Sequence, residues 1–317
     1  MGFLLFQQTS YSCSTEQVTL LLKVLFIFTQ TNNKMNFIKP ILFLVVLSVF
    51  SCSNETNEEN DNTDTEINPL NYTPTTLGDY WIYDVESSSD DTPAMNFTGV
   101  DSLYIASSTA NSFTYQVNND MVALGTMNTL LVNGSLSKTT TTLKYTGVLE
   151  FPIDIPITQV PTIDNLTLID LDATNGEVLS NLSGDFSETI DIQGTMIPVE
   201  ANYSLTSTKE NFYPTTSVNG YTYTNVYEAT LKLNLSVNGT LTILGFAQTI
   251  ELVQPQDVLT IRYYYGGDVG LLRAESTQEF QLSTALIALI QQLGGTVDIP
   301  TSSTTISVEK LSSYFLN

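Results

Sequence analysis

The stretch "TLKLNLSVNGTLTI", Thr230 to Ile243, decides the fold class. Leu231, Leu233, Leu235 and Val237 fall at every second position, with Thr230, Lys232, Asn234 and Ser236 between them. Successive side chains of a strand point to opposite faces, so a period of two places the four apolar residues on one side of a half-buried antiparallel strand. Asn238-Gly239 follows at once, a dipeptide suited to the two positive-φ positions of a type I′ turn. A hairpin is therefore expected there, with Leu233 opposite Leu244, Leu231 opposite Phe246 and Tyr227 opposite Ile250.

The alternation recurs on both sides of this stretch, in "YWIYDV" (80–85), "FSETIDI" (186–192), "DVLTIRYYY" (257–265) and "TTISVE" (304–309). Asn-Gly recurs too, at 133–134, 175–176 and 219–220. One segment departs from the pattern. Ser283 can cap a helix in which Leu286, Leu289, Ile290 and Leu293 form a single stripe, and Gly294-Gly295 stops it. The expected fold is mainly β, a curved antiparallel sheet or half-barrel with one helix, about 284–293, packed on it. Residues 70–317 carry no internal repeat and no second linker, and read as a single β-rich domain.

Composition narrows the chemistry. The 317 residues carry a formal charge of −23 and no histidine, and the only cysteines are Cys13 and Cys52. A Ser-His-Asp triad, a Cys-His centre and a zinc site of the usual kind all need residues that this chain lacks. The acidic balance repels nucleic acid and anionic lipid headgroups, and it discourages self-association.

Upstream of the β region the texture changes. Lys34, Met35 and Lys39 precede an apolar run from Pro40 to Phe50, which is a signal-peptide core with a basic n-region and is too short to span a bilayer. The residues Val49, Phe50, Ser51 and Cys52 that close it resemble the lipobox of bacterial lipoproteins, although Phe50 is bulkier than the usual occupant of its place. The resemblance implies acylation of Cys52 and cleavage before it, and hence a membrane partner through a lipid anchor. Residues 35–51 are then the signal peptide. Residues 1–34 have no basic n-region of their own and carry Lys23 in the middle of the apolar run 18–28, so they are expected to be an extension ahead of the true start at Met35. Residues 52–69 are acidic, polar and aperiodic, which reads as a disordered tether. A run of this kind directly after the anchor resembles the tether that directs some lipoproteins to the outer face of the outer membrane. Ser53 stands where an aspartate would signal inner-membrane retention. The expected location is the outer membrane, lipid-anchored at the cell surface, with its periplasmic face as the alternative.

A second resemblance covers most of the chain that remains. "LGDYWIYDV" (77–85), "GYTYTNVYEATL" (220–231) and "YYYGGDVGLLRAES" (263–276) are similar to a pattern in uncharacterised secreted bacterial lipoproteins. It implies a curved antiparallel sheet or half-barrel with a packed helix, and no known activity.

Candidate chemistry is sparse. Asp170, Asp172, Thr174 and Glu177 have spacings close to those of a calcium loop, but Asn175 stands where that loop requires glycine, and a β-turn explains the same residues. A paired-carboxylate hydrolase would need two inward-facing acids a few ångströms apart in a cleft. Trp81 is the single tryptophan and belongs in the core by its strand alternation. Tyr263, Tyr264 and Tyr265 are consecutive on a strand and must point to both faces, so at least one is expected to be exposed or to line a cavity. The Asn-x-Ser/Thr triplets at Asn96, Asn165, Asn202 and Asn234 are expected from composition alone, and Asp101-Ser102-Leu103 resembles a bacterial O-glycan acceptor. Catalytic, metal and cofactor residues are therefore expected to be none, and Cys52 is the one site residue. The expected function is non-enzymatic: an envelope lipoprotein whose β domain binds an apolar ligand or a partner envelope protein, with a surface glycan-binding or adhesive module as the alternative.

Overall fold

The computed structural model describes residues 71–90, 96–119, 121–148, 161–192, 195–243, 246–292 and 301–317, all within the unit Ile67–Asn317. Cys52, the signal peptide, the tether and the residues ahead of Met35 lie outside the described residues.

The chain is mainly antiparallel β, and its sheet curves almost into a barrel. Twelve strands follow in order: β1 Tyr80–Ser89, β2 Phe97–Ser108, β3 Ser112–Val117, β4 Gly134–Lys138, β5 Thr142–Val148, β6 Thr162–Asp170, β7 Val178–Ile192, β8 Thr195–Val218, β9 Tyr221–Ile243, β10 Phe246–Gly266, β11 Gly270–Gln281 and β12 Ser302–Phe315. Two helices interrupt them among the described residues, α1 Thr126–Val132 and α2 Thr284–Gln292. The spatial order β6-β5-β4-β3-β2-β1-β12-β11-β10-β9-β8-β7 is a meander cut at the chain ends. The first and last strands pair at its centre, and β6 and β7 stand at its two edges.

Side chains bridge those edges where no backbone ladder does. Ser180 Oγ accepts from Thr167 N at 2.9 Å, and Ser207 Oγ donates to Thr167 O at 2.6 Å. Tyr263 reaches across the interior to donate to Leu168 O at 2.7 Å, and the Tyr227 hydroxyl sits 3.2 Å from both N and O of Asp170. Backbone groups of β6 that would otherwise be buried and orphaned are satisfied in this way, at about 1–3 kcal/mol for each group that would otherwise go unpaired.

The stretch that decides the fold class behaves as a strand, but its turn does not form. Leu231, Leu233, Leu235 and Val237 are fully buried on one face, yet β9 runs unbroken through Asn238-Gly239 to Ile243. The expected pairings of Leu233 with Leu244 and Leu231 with Phe246 are thus wrong. Leu233 lies between Leu205 of β8 and Leu259 of β10, Leu231 between Ser207 and Ile261, and Tyr227 between Phe212 and Tyr265. The reason is that β9 is central. Asn238 and Gly239 are paired on one side with Glu200 and Val199 and on the other with Glu251 and Ile250, and a turn would break both ladders. Gly239 serves packing instead, because a Cβ there would come within 3.0 Å of Leu252 and 3.1 Å of Ile197. Of the four Asn-Gly pairs, 219–220 does make the two-residue hairpin, joining β8 to β9 with φ of 48° and 81°.

The helix expected near the end is present. Ser283 caps it, its Oγ accepting from Leu286 N at 3.1 Å, and Leu286 and Ile290 are buried on the core. Its packing lies against β10, whose irregular pairing with β9 around Pro255 suits a residue that has no N–H to give to a ladder. Helix α1 is not foreshadowed by the sequence pattern. Its Met127, Leu130 and Leu131 are buried at helical spacing, but seven residues are too few for periodicity to stand out from a strand-rich background.

Candidate functional site

The interior of the curved sheet is filled by large side chains. Trp81, Tyr83, Tyr227, Tyr263 and Tyr265 are all fully buried. Trp81 Nε1 donates to Val269 O at 2.7 Å and Tyr83 donates to Leu271 O at 2.9 Å, so β1 grips the turn that leads into β11. Gly270 is required at that turn, since its φ is +109° and a Cβ would sit 3.2 Å from Trp81 Nε1. This contact unites "YWIYDV" with "GGDVGLL". Edge-to-face contacts of Trp81 with Tyr115 and of Phe113 with Tyr115 add to the packing, at centroid separations of 5.8 and 5.3 Å. Burial pushes the hydroxyls of Tyr83, Tyr263 and Tyr265 well above the ordinary tyrosine value, so all three stay neutral.

Among these rings sit two acids, Asp101 of β2 and Glu309 of β12, both 0% exposed. They hold the start of α1 from two sides. Asp101 accepts from Leu124 N at 3.0 Å, from Gly125 N at 2.9 Å and from the side-chain amides of Asn118 and Asn128 at 2.7 and 3.1 Å. Glu309 Oε1 accepts from Met127 N at 2.6 Å, and Oε2 accepts from Asn128 N at 3.0 Å. A methyl group at Gly125 would overlap the Glu309 carboxyl, so the close approach requires glycine. Burial pushes Glu309 up to about 8, against the two backbone donors that lower it, and the nearby Asp101 raises it further. These are two inward-facing acids, as a carboxylate hydrolase would require. They stand in packed interior, however, and their hydrogen bonds anchor the helix.

The sequence pattern does not single out these two acids as a pair. A signal does exist in strand parity: Asp101 shares its face with Leu103 and Ile105, and Glu309 shares its face with Ser307 and Leu311. A carboxylate in register with core positions of a strand implies a buried polar contact, because acids are almost never fully buried unless paired.

The residues singled out from the sequence are placed as follows. Asp170, Asp172, Thr174 and Glu177 form the turn between β6 and β7, where Thr174 donates its N–H and hydroxyl to Glu177 Oε2 at 2.8 and 3.0 Å. Those bonds hold the exposed Glu177 carboxyl below its ordinary value. Asp170 accepts from Asp172 N at 3.0 Å, so these carboxylates serve their own turn. Of the three consecutive tyrosines, Tyr263 and Tyr265 face inward and Tyr264 lies half-buried on the outside, near Arg262 and Glu228. In the Asp101-Ser102-Leu103 triplet the aspartate and leucine are buried and Ser102 lies half-buried on the outer face.

Two open grooves lie at the surface of the described residues. One of about 200 Å³ runs beside Tyr72, Lys138 and Leu143, and the ammonium that lines it, Lys138 Nζ, is already bound to Thr73 O and Thr75 Oγ1. The other, of about 580 Å³, lies over Glu188, Pro198 and Glu200.

The outer face holds a row of aromatic residues in adjacent strands. Tyr80 of β1 stands directly opposite Tyr104 of β2 on one side and Phe315 of β12 on the other. The Tyr80 and Phe315 rings are nearly parallel, 18° apart with centroids at 5.7 Å, and they are 43% and 49% exposed. The tip of the β8–β9 hairpin lies against β1 and β12. Asn219 at that tip reaches across to donate to Leu311 O at 3.0 Å and Asp84 Oδ2 at 3.2 Å. Burial raises the Tyr223 hydroxyl, and so do the neighbouring Tyr314 and Tyr221.

Comparison with known proteins finds no matching family model, no matching curated protein and no matching solved structure.

Proposed function

We propose that this chain is a lipid-anchored envelope protein, acylated at Cys52, held at the outer membrane on residues 52–69 and presented at the cell surface. Its β unit acts by binding and not by turnover, and it engages another envelope component through the outside of the sheet. The filled interior is the observation that carries this reading. Trp81, Tyr83, Tyr263 and Tyr265 occupy the space that an apolar ligand would need, and the polar atoms of Trp81, Tyr83 and Tyr263 tie strands together. That favours a partner on the outer face over a ligand inside. A chain without histidine, whose two inward acids are committed to a helix, supports a non-enzymatic role.

Metabolic labelling with palmitate tests the anchor. The wild type should label and partition with membranes, and Cys52→Ser should do neither. Label retained by Cys52→Ser would overturn the reading. Protease treatment of intact cells separates the two faces of the outer membrane, because only a surface-exposed β unit is cut before the envelope is opened.

A further inference from the structure

Helix α1 is held by acids that it does not carry. Gly125 at its N-cap makes no side-chain cap, and its first turn has no acid of its own. The N–H groups there go instead to Asp101 of β2 and Glu309 of β12. Seven residues are too few to hold a helix in water, where about 12–15 are marginal, so α1 keeps its form only while it is docked. Docked, it lays Met127, Leu130 and Leu131 on the core. Around Glu309 the interior wall is polar and incompletely satisfied. Ser307 lies two residues from Glu309 on the same face of β12, and Ser276 of β11 stands directly opposite Ser307. The hydroxyls of both, the hydroxyl of Tyr265 and Oδ1 of Asn128 are buried with no hydrogen-bond partner among the described residues. Buried polar groups are seldom left unpaired, and water reaching these would relieve their cost.

We infer that α1 is a gate: ionisation of Glu309 releases the helix from β2 and β12 and admits water to the interior that it covers. A neutral Glu309 sits beside the Asp101 carboxylate without repulsion. Once it ionises, two negative charges stand in packed interior against one helix turn, and no cationic side chain among the described residues faces them. The titratable groups facing Glu309 are Asp101 from β2, Tyr83 from β1 and Tyr265 from β10, with Tyr115 of β3 beyond the two tyrosines, and burial keeps all three rings neutral. The neighbouring β11 contributes Ala274 and Ser276, and α1 has no titratable side chain. Arg273 and Lys310 lie on the outer face with Glu275 and Glu86. Buried charge of this kind is relieved by hydration, and undocking seven residues disturbs far less than opening the sheet. Burial and Asp101 keep the Glu309 proton bound up to about 8, whereas in the opened helix the carboxyl returns to its ordinary 4.5. Opening is therefore favoured about tenfold more with each pH unit between these values, and no further above them. This gate works whatever the outer face binds.

Hydrogen exchange of the full chain between pH 5 and 8, read by mass spectrometry on peptides covering 126–132 and 231–237, tests the gate. Each rate is divided by the intrinsic exchange rate at its pH. Protection of 126–132 should fall about tenfold per pH unit. It should also lie at least about tenfold below that of 231–237 throughout, because β9 is paired on both sides and opens only with the whole sheet. In Glu309→Gln the slope for 126–132 should vanish. Equal protection of the two segments would mean that α1 opens only when the whole sheet does. Protection of 126–132 that holds constant with pH would separate the helix from Glu309. Either result overturns the gate, and the unaltered chain decides both, so the test stands even where Glu309→Gln fails to fold.

Discussion

Replacing Glu309 by glutamine should turn a pH-dependent fold into one that is less so. Folded Glu309 titrates at about 8 against an ordinary value of 4.5, because it is buried beside Asp101. Between these two values the folded chain holds a proton that the unfolded chain has released, so stability falls as pH rises through that window and levels off above it. Each unit carries about 1.4 kcal/mol, and the interval amounts to roughly 5 kcal/mol lost between acid and alkaline solution. Glutamine has no proton to lose. It can still accept from Met127 N, but its amide opposes Asn128 N, which costs about 1–3 kcal/mol at every pH. The two stability curves should therefore cross, with the variant less stable at pH 5 and more stable at pH 9. Urea unfolding followed by Trp81 emission at unit intervals of pH measures this directly, since Trp81 is the only tryptophan and is buried. Groups remote from Glu309 cancel in the difference between the proteins, and the neighbouring Tyr83 and Tyr265 stay neutral throughout. A difference that stays constant from pH 5 to 9 would refute the reasoning.

Three further outcomes are expected. Gly220→Ala forces a side chain into a left-handed turn and should cost about 1–2 kcal/mol, whereas Gly239→Val should cost about 1–3 kcal/mol by overpacking against Leu252 and Ile197; urea midpoints of both variants and of Asn238→Thr, expected near neutral, test whether 238–239 is strand. Lys209→Met should destabilise by roughly 1–3 kcal/mol, since Lys209 Nζ donates to the carbonyls of Leu171 and Ala173, and hydrogen exchange should quicken around Leu171 to Glu177 first. Ile290→Asp places a charge on the buried stripe of α2 and should lower the stability by more than about 3 kcal/mol, while Ala288→Asp on the exposed side of the same helix changes it little.

Strand parity is legible in this sequence and strand partnership is not. Alternation assigns Leu231, Leu233, Leu235 and Val237 to a buried face whatever lies beside them, because the pleat alone decides which way a side chain points. It is silent on neighbours, since a shift of two residues leaves every face unchanged. Turn chemistry has to supply the missing register. It does so at Asn219-Gly220, where the chain has nothing to pair with beyond the turn, and fails at Asn238-Gly239, where two ladders compete with the turn and win. The same limit hides the candidate sites. Tyr104, Tyr80 and Phe315 are far apart in the sequence, and each alone is an ordinary strand aromatic. Only the closure of β12 onto β1 brings the C-terminal Phe315 alongside Tyr80, and only the β1–β2 pairing adds Tyr104. Asp101 and Glu309 likewise meet through α1, a helix too short to announce itself. Each strand therefore carries its inward and outward sets locally. The surfaces those sets compose exist only once the first and last strands have paired, so substitutions that weaken the β1–β12 ladder should remove the outer strip and loosen α1 together.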